Sequence, residues 1–240
     1  MYYRRALDRA DYNSFSNFFN PELYGLEEDA TVRDIAEIIV DDEESYTAEV
    51  ARLATLFGYQ LNSNAPYILG VGTTSIVYLV TRNRKQFALK FIKLVLSTLG
   101  TLLVGQELMI ENDLDEYIPK IYLTYGQMGP GLGDFDGLDE FGVIIQDYVG
   151  SSLKEFQLHA TKEELDKIIV QLRAIKYDFE THDLIHDDLH DENITVTYQN
   201  EDLKVYLIDL DNVKPKEQQQ YSGLGRLDPI IASLQHLLND

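Results

Sequence analysis

An α+β fold is predicted by two changes of apolar spacing along this 240-residue sequence. Apolar residues recur at helical spacing in the N-terminal segment, change to short β-rich runs between glycines from Tyr67 on, and return to helical spacing after Ser152. The expected order is a helical N-terminal extension (1–64), a β-rich part (65–149) and a mainly helical part (150–240).

Two amphipathic helices are predicted in the extension. Thr31 can cap the first, whose apolar face begins at Val32. The second runs from Thr47 to Phe57, and Gly58 after it suits the left-handed conformation that ends many helices. Both are expected to pack on the domain that follows, because amphipathic stripes usually bury against a core.

The β-rich part contains strand-like segments with one helical stretch among them. Arg82-Asn-Arg-Lys85 is typical of a hairpin turn between two of the strands. The glycine-rich segment 126–134 is expected to be a long loop and not a dinucleotide-binding motif, because no helix follows it. The predicted strands are Ile68–Gly70, Ser75–Val80, Gln86–Ile92, Ile118–Tyr125 and Phe141–Tyr148, and the predicted helix is Leu94–Asp115.

The helical part begins near Ser152 and includes a long helix, Thr161–Thr181. Thr161-Lys-Glu-Glu164 forms a capping box ahead of an apolar stripe, which marks the start of that helix. Two short strands and a last helix follow, at Ile194–Tyr198, Leu203–Ile208 and Pro229–Leu238.

The composition disfavours several kinds of site and partner. There is no cysteine, which excludes disulfides, cysteine nucleophiles and thiolate metal sites. The net charge of −21 repels nucleic acid and anionic membranes, so we expect neither as a partner. No apolar run reaches the ~20 residues of a membrane helix, and no apolar block follows the basic start. We therefore expect a soluble, intracellular protein.

Four segments carry residues whose chemical roles complement one another. Gly70-Val-Gly72 lies in a tight strand turn, where backbone N–H groups can approach phosphate oxygens. Lys90 stands between apolar neighbours in a strand, so its ammonium would need an anionic partner. The segment 186–193 is an acidic loop between a helix and a strand, and Asp209 ends an apolar strand at a place suited to a magnesium ligand.

Each of these segments has a plainer alternative. A Gly-x-Gly turn, a strand lysine, a solvated acidic loop and a turn aspartate all occur without any catalytic role. Zinc held by His186 and His190 is a further alternative. It is disfavoured because Leu189 is expected to point inward and a strand follows, so no continuous helix would space the two imidazoles.

The first two segments resemble motifs of the protein-kinase-like superfamily. The stretch 70–77, Gly-Val-Gly-Thr-Thr-Ser-Ile-Val, is similar to the Gly-x-Gly-x-x-Gly-x-Val loop, with Ser75 in place of the third glycine. Phe-Ala-Leu-Lys90 is similar to the Val-Ala-Ile-Lys strand of the same superfamily.

The last two segments follow in the order that this superfamily has. The loop from His186 to Asn193 resembles His-Arg-Asp-Leu-x-x-x-Asn, and Asp209-Leu-Asp211 takes the place of Asp-Phe-Gly. The resemblance covers about residues 67–230. It implies a bilobal protein-kinase-like fold with a β-rich N-lobe and a truncated, mainly helical C-lobe.

The resemblance implies ATP and Mg²⁺ as cofactors. Lys90 would hold phosphates, with Glu107 or, one helical turn later, Glu111 as its partner, and Asp188 would accept the proton of the substrate hydroxyl. The implied catalytic residues are Asp188, Lys90, Glu107 and Asn193, the implied metal ligands are Asn193 and Asp209, and the implied nucleotide contacts are Leu69, Gly70, Gly72, Val77, Ala88, Lys90, Asp147 and Val149.

Three departures from the superfamily pattern shape the functional expectation. Asp187 replaces the arginine that receives an activation-loop phosphate in many protein kinases, so we expect no activation by loop phosphorylation. His190 and Asp211 resemble the loops of aminoglycoside- and choline-type phosphotransferases. Only about thirty residues follow Asp209, so the C-lobe is short, and a partner or a dimer would complete it.

The function expected from the sequence is an ATP- and Mg²⁺-dependent phosphotransferase. A serine/threonine-protein kinase is favoured narrowly. The chain's negative charge is explained first by solubility, and a basic protein substrate and a salty cytoplasm are the alternative explanations. The alternatives are a small-molecule kinase acting on a small hydroxyl-bearing substrate, and a pseudokinase that acts as a nucleotide-binding regulatory scaffold. A cytoplasmic location is expected, in the host cell if the chain comes from a virus or an intracellular bacterium.

Overall fold

The computed structural model describes residues 46–62, 68–71, 75–92, 98–126, 142–218 and 227–239. They belong to two compact units. The first comprises Met1–Gly100 and Lys120–Tyr148, and the second comprises Thr101–Pro119 and Val149–Asp240. The helix predicted after Thr31, residues 127–134 of the loop predicted at 126–134, and Gly72 lie outside the described residues, whereas Gly126 ends a strand.

The predicted fold class is confirmed, because antiparallel strands dominate the first unit and the long helices follow later in the chain. No helix in the described ranges has both the length and the apolar character to cross a membrane.

The first unit begins with a short helix, α1 (Tyr46–Leu56), which confirms the second helix predicted in the extension. Its apolar stripe is buried, and the chain leaves the helix at Gly58, where φ is +78° and the N–H donates to the Thr55 carbonyl at 2.9 Å. A residue with a side chain would be disfavoured there, which is why glycine ends this helix.

Within the described residues, six strands form the antiparallel sheet of the first unit. Their order is β1-β3-β4-β6-β5, with β2 also paired to β3. The predicted hairpin between β3 and β4 is present, and both Asn83 and Arg84 have positive φ, as a type I′ turn requires. The strands are β1 (Gln60–Leu61), β2 (Ile68–Val71), β3 (Ser75–Arg82), β4 (Lys85–Ile92), β5 (Ile121–Gly126) and β6 (Gly142–Asp147).

The second unit is organised around one long helix, α4 (Lys162–Thr181). Its predicted capping box is present, because the Thr161 hydroxyl accepts from the Glu164 N–H while the Glu164 carboxylate accepts from the Thr161 N–H. Its predicted apolar stripe is buried, and the Gln171 side-chain amide bonds the backbone of the neighbouring strand at Leu203 and Val205. These bonds fix the strand that leads to Asp209 against the helix.

The remaining elements of the second unit surround α4. The short strands β8 and β11 pair with each other and were not predicted from the sequence. A 3₁₀ turn at Asp115–Tyr117 precedes the segment predicted as the strand Ile118–Tyr125, and β5 begins at Ile121, three residues later than predicted. The elements are α2 (Thr98–Glu111), β7 (Ser151–Ser152), α3 (Leu153–Phe156), β8 (Leu184–His186), β9 (Ile194–Gln199), β10 (Asp202–Leu207), β11 (Val213–Pro215) and α5 (Leu227–Asn239).

Candidate active site

Lys90 lies in the middle of β4 in the first unit, and its side chain is only 7% exposed. Its register partners are Val77 on β3 and Ile144 on β6. Residues directly opposite in antiparallel strands share a face, and alternate residues along one strand do too. The buried lysine therefore lies on one face of the sheet together with Val77 and Ala88, as predicted.

Gly70 lies across β3 from Lys90 and is exposed. Gly70 on β2 pairs with Val77, and a Cβ built on Gly70 would meet no atom within 4 Å. Gln146 pairs with Ala88 and so brings a polar side chain to this face. An ammonium can bind phosphate oxygens and apolar side chains can contact a base, so these groups are compatible with the predicted nucleotide contacts. Leu69, also predicted to contact nucleotide, is half-buried next to Gly70 on β2.

Asp147, another predicted nucleotide contact, is oriented differently from Lys90. It pairs with Phe87, so its side chain belongs to the opposite face from Lys90, where it accepts from Tyr122 and forms a 2.6 Å ion pair with Lys85. Its N–H donates to the Lys120 carbonyl at 2.9 Å. This ion pair raises the pKa of Lys85, chiefly through the hydrogen bond to Asp147. Val149, the other predicted contact at this connection, is buried in the second unit.

The acidic loop of the second unit is shaped by Asn193. The Asn193 side-chain amide donates to the Asp188 carbonyl at 2.9 Å, and its N–H donates to the His190 carbonyl at 3.0 Å. These bonds curl the loop while the Asp188 side chain stays exposed and the Asn193 side chain is 6% exposed. The predicted inward position of Leu189 is confirmed, because that side chain is 8% exposed.

Asp209 is tied to the same loop. The N–H of Ile208, the residue before it, donates to the Asn193 carbonyl at 3.0 Å. Asp209 itself has a φ of +58° and a ψ of +50°, a left-handed conformation that aspartate tolerates better than most residues. The structure thus brings Asp188, Asn193 and Asp209 together in one unit, although they come from separate stretches of sequence.

Asn193 and Asp209 fit the chemistry of a magnesium site. The amide nitrogen of Asn193 donates to the Asp188 carbonyl, so the amide oxygen is the Asn193 atom that can bind a cation. Asp209 supplies a carboxylate. Mg²⁺ prefers oxygen ligands and is commonly bound through one or two side chains together with substrate phosphates and water. Among the described residues, no group of three or more His, Asp or Glu side chains is arranged to hold a metal ion.

His186 makes a structural contact within the second unit. Its ring is 1% exposed, and Nε2 lies 3.0 Å from the Ile208 carbonyl, a bond that requires the proton on Nε2. Nδ1 has no hydrogen-bond partner among the described residues. Burial lowers the pKa of His186 below its ordinary value of 6.5, in spite of the opposing charges of Asp209 and Asp188. The imidazole is therefore neutral and directed at the strand that precedes Asp209.

The neutral state of His186 predicts an acid-dependent loss of stability. Between the lowered pKa of the folded chain and the ordinary value of about 6.5, the unfolded chain binds a proton at this position and the folded chain does not, so the free energy of unfolding falls as the pH falls. The slope is at most about 1.4 kcal/mol per pH unit for one such group. Urea unfolding between pH 7 and about 5.5 should therefore show a shallower decline in His186→Gln than in the wild type. His182→Gln, at an exposed histidine, should keep the wild-type decline; equal slopes for all three proteins would contradict the assignment.

Glu107 lies on α2, is half-buried and belongs to the second unit, whereas Lys90 belongs to the first. Glu111, the alternative partner, is exposed at the end of the same helix. The pairing of Lys90 with either glutamate stays a prediction.

Two residues beside the predicted site carry contacts that the sequence analysis did not anticipate. Gly105 on α2 meets the Leu210 carbonyl so closely that a Cβ at Gly105 would stand 1.8 Å from that oxygen. Lys214 on β11 forms a 2.6 Å ion pair with Asp187. A glycine inside a helical pattern was the available signal for the first contact. No local signal pointed to the second.

Comparison with known proteins gives a likeness of fold. The sequence matches no protein-family model, and no curated protein matches it. In structure the chain is similar to the kinase PK-1 of Cydia pomonella granulovirus, with 20% sequence identity and a TM-score of 0.46. The matched region covers 70% of this chain and 57% of the PK-1 chain, which is less than two thirds of its length. Functional roles therefore have to be argued from the residues themselves.

Proposed function

We propose that this chain is an ATP- and Mg²⁺-dependent phosphotransferase that transfers the γ-phosphate to a hydroxyl group, with a protein serine or threonine as the favoured acceptor. The observation that carries the proposal is the hydrogen bonding around Asn193, whose side chain holds Asp188 and whose carbonyl holds the strand before Asp209. These bonds support the proposal, because they link the loop that carries Asp188 and Asn193 to the turn that carries Asp209.

Each residue has a role that follows from its chemistry. Asn193 and Asp209 would hold Mg²⁺, which supplies neutralisation of phosphate charge when bound. Asp188, exposed at the rim of its loop, would orient the acceptor hydroxyl and take its proton. Lys90, a buried ammonium beside Val77 and Ala88, would bind phosphate oxygens.

The expected acceptor is cationic near its hydroxyl group. The chain carries a formal charge of −21, which includes the half-buried Asp191 in the loop around Asp188, whereas the neighbouring Glu192 is ion-paired with Lys154. A field of this sign raises the local concentration of basic substrates and lowers that of acidic ones. A basic protein or peptide therefore fits better than an acidic one. A cytoplasmic location is part of the proposal.

A transfer assay with labelled ATP tests the proposal. The full chain is incubated with γ-labelled ATP and Mg²⁺, alone and with a basic protein, an acidic protein, or a panel of aminoglycosides and choline. We expect label on the basic protein, loss of labelling when Mg²⁺ is chelated, and weaker labelling of the acidic protein. Label on a small molecule would favour the small-molecule kinase suggested by the His-x-Asp-Leu-His190 loop. Nucleotide binding without any transfer would show that the chain is a scaffold and not an enzyme.

A further inference from the structure

Asp187 is a buried carboxylate in the loop that precedes the proposed base. Asp187 is 7% exposed, and its Oδ2 lies 2.6 Å from the Lys214 ammonium on β11. Its other oxygen, Oδ1, has no hydrogen-bond partner among the described residues. Burial of an unpaired charge is unfavourable, so the Lys214 ammonium stabilises this carboxylate by neutralising its charge.

The ion pair is one of several contacts beside Asp209. Before Asp209, the Ile208 carbonyl accepts from His186. After it, the Asn212 carbonyl accepts from the Asp187 N–H at 2.9 Å, and the side chain of Lys214 reaches the Asp187 carboxylate. The short strands β8 and β11 keep these groups in register through the pairs His186–Val213 and Ile185–Lys214. The turn that carries Asp209 is therefore fastened to the loop on both sides.

We propose that Lys214 is a positioning residue for the metal ligand Asp209, acting through its ion pair with Asp187. Asp209 has the left-handed conformation, which is unfavourable for residues other than glycine and depends on neighbouring contacts. This inference rests on the proposed function, because it assigns Lys214 to the site that would hold Mg²⁺.

Metal binding by matched variants of the full chain tests the role of Lys214. Mn²⁺ replaces Mg²⁺ as a probe, because it also takes oxygen ligands, and free Mn²⁺ is measured by electron paramagnetic resonance with a non-hydrolysable ATP analogue present. We expect Lys214→Met to weaken Mn²⁺ binding about 10-fold, as is typical when a residue supporting a metal ligand is lost. Lys214→Arg should stay close to the wild type. Lys216→Met, at an exposed lysine two positions on, should match the wild type.

A double variant separates positioning from folding stability. In Asp187→Asn/Lys214→Met the buried charge and its partner are both removed, so the thermal unfolding midpoint should return close to that of the wild type. If Lys214 positions Asp209, Mn²⁺ binding by this stable double variant stays about 10-fold weak. Wild-type Mn²⁺ affinity in the double variant would show that the pair is only structural and would overturn the inference. The double variant decides the question even if Lys214→Met fails to fold.

The wild-type titration also distinguishes the two levels of proposal. Wild-type binding of Mn²⁺ with the ATP analogue, together with unchanged binding in the Lys214 variants, would refute the positioning role and leave the proposed function in place. No Mn²⁺ binding by the folded wild type would refute the proposed function and, with it, the role of Lys214.

Discussion

Replacing Asp209 with alanine is expected to lower phosphate transfer from ATP by about 100-fold or more, the scale on which a preorganised electrostatic contact contributes to catalysis. The carboxylate of Asp209 is the charged member of the proposed magnesium site, and the amide oxygen of Asn193 alone neutralises no positive charge.

Replacing Lys90 with alanine should lower phosphate transfer by a factor of similar size, because it removes a buried ammonium from the proposed phosphate contact. Steady-state transfer rates with γ-labelled ATP measure both effects.

Exposed residues of the same types provide the controls for these two substitutions. Asp202→Ala, at the start of β10, removes an exposed carboxylate from the unit that contains Asp209. Lys120→Ala removes an exposed ammonium from the unit that contains Lys90. Both should retain transfer within about twofold, since surface changes of this kind rarely alter a distant site. Wild-type turnover by either the Asp209 or the Lys90 variant would refute the proposed site.

Local sequence signals predicted the elements that depend on local interactions. The capping box at Thr161 and the C-terminal glycine at Gly58 act over a few residues, so the pattern of side chains alone defined them. The hairpin at Arg82–Lys85 was predicted from its turn residues, and the burial of Lys90 from the apolar residues on both sides of it in β4. In each case the physical cause lies within one helix end or one pair of strands.

Local sequence signals did not predict contacts between segments that are distant in the sequence. β8 and β11 have three residues each, too few to show a period, and each is stabilised by pairing with the other. The ion pair between Asp187 and Lys214 depends on that pairing, so neither residue alone indicated it. The sequence identified Asp187 as a departure from a family pattern, while the structure supplies the cation that compensates it. The catalytic roles of Lys90, Asp188, Asn193 and Asp209 stay predictions that the substitutions above test.

Gly105 is the position where a single methyl group is expected to have the largest effect on stability. In an exposed helix, glycine is about 1 kcal/mol less favourable than alanine, so propensity alone predicts that Gly105→Ala stabilises the chain. The contact with Leu210 predicts the opposite, because the new Cβ would stand 1.8 Å from a backbone carbonyl oxygen that follows Asp209 directly.

The steric effect should exceed the propensity effect at this position. Overpacking of a buried site costs about 1–3 kcal/mol and occasionally more, and here the obstacle is backbone that cannot rotate away as a side chain would. We expect Gly105→Ala to lower the free energy of unfolding by about 3 kcal/mol in urea titrations, without a change in the denaturant slope. Gly70→Ala is the matched control, since no atom lies within 4 Å of the Cβ it would add, and its stability should stay within about 0.5 kcal/mol of the wild type. A Gly105→Ala protein as stable as the wild type, or more stable, would show that α2 does not approach the Asp209 turn as closely as the structure has it.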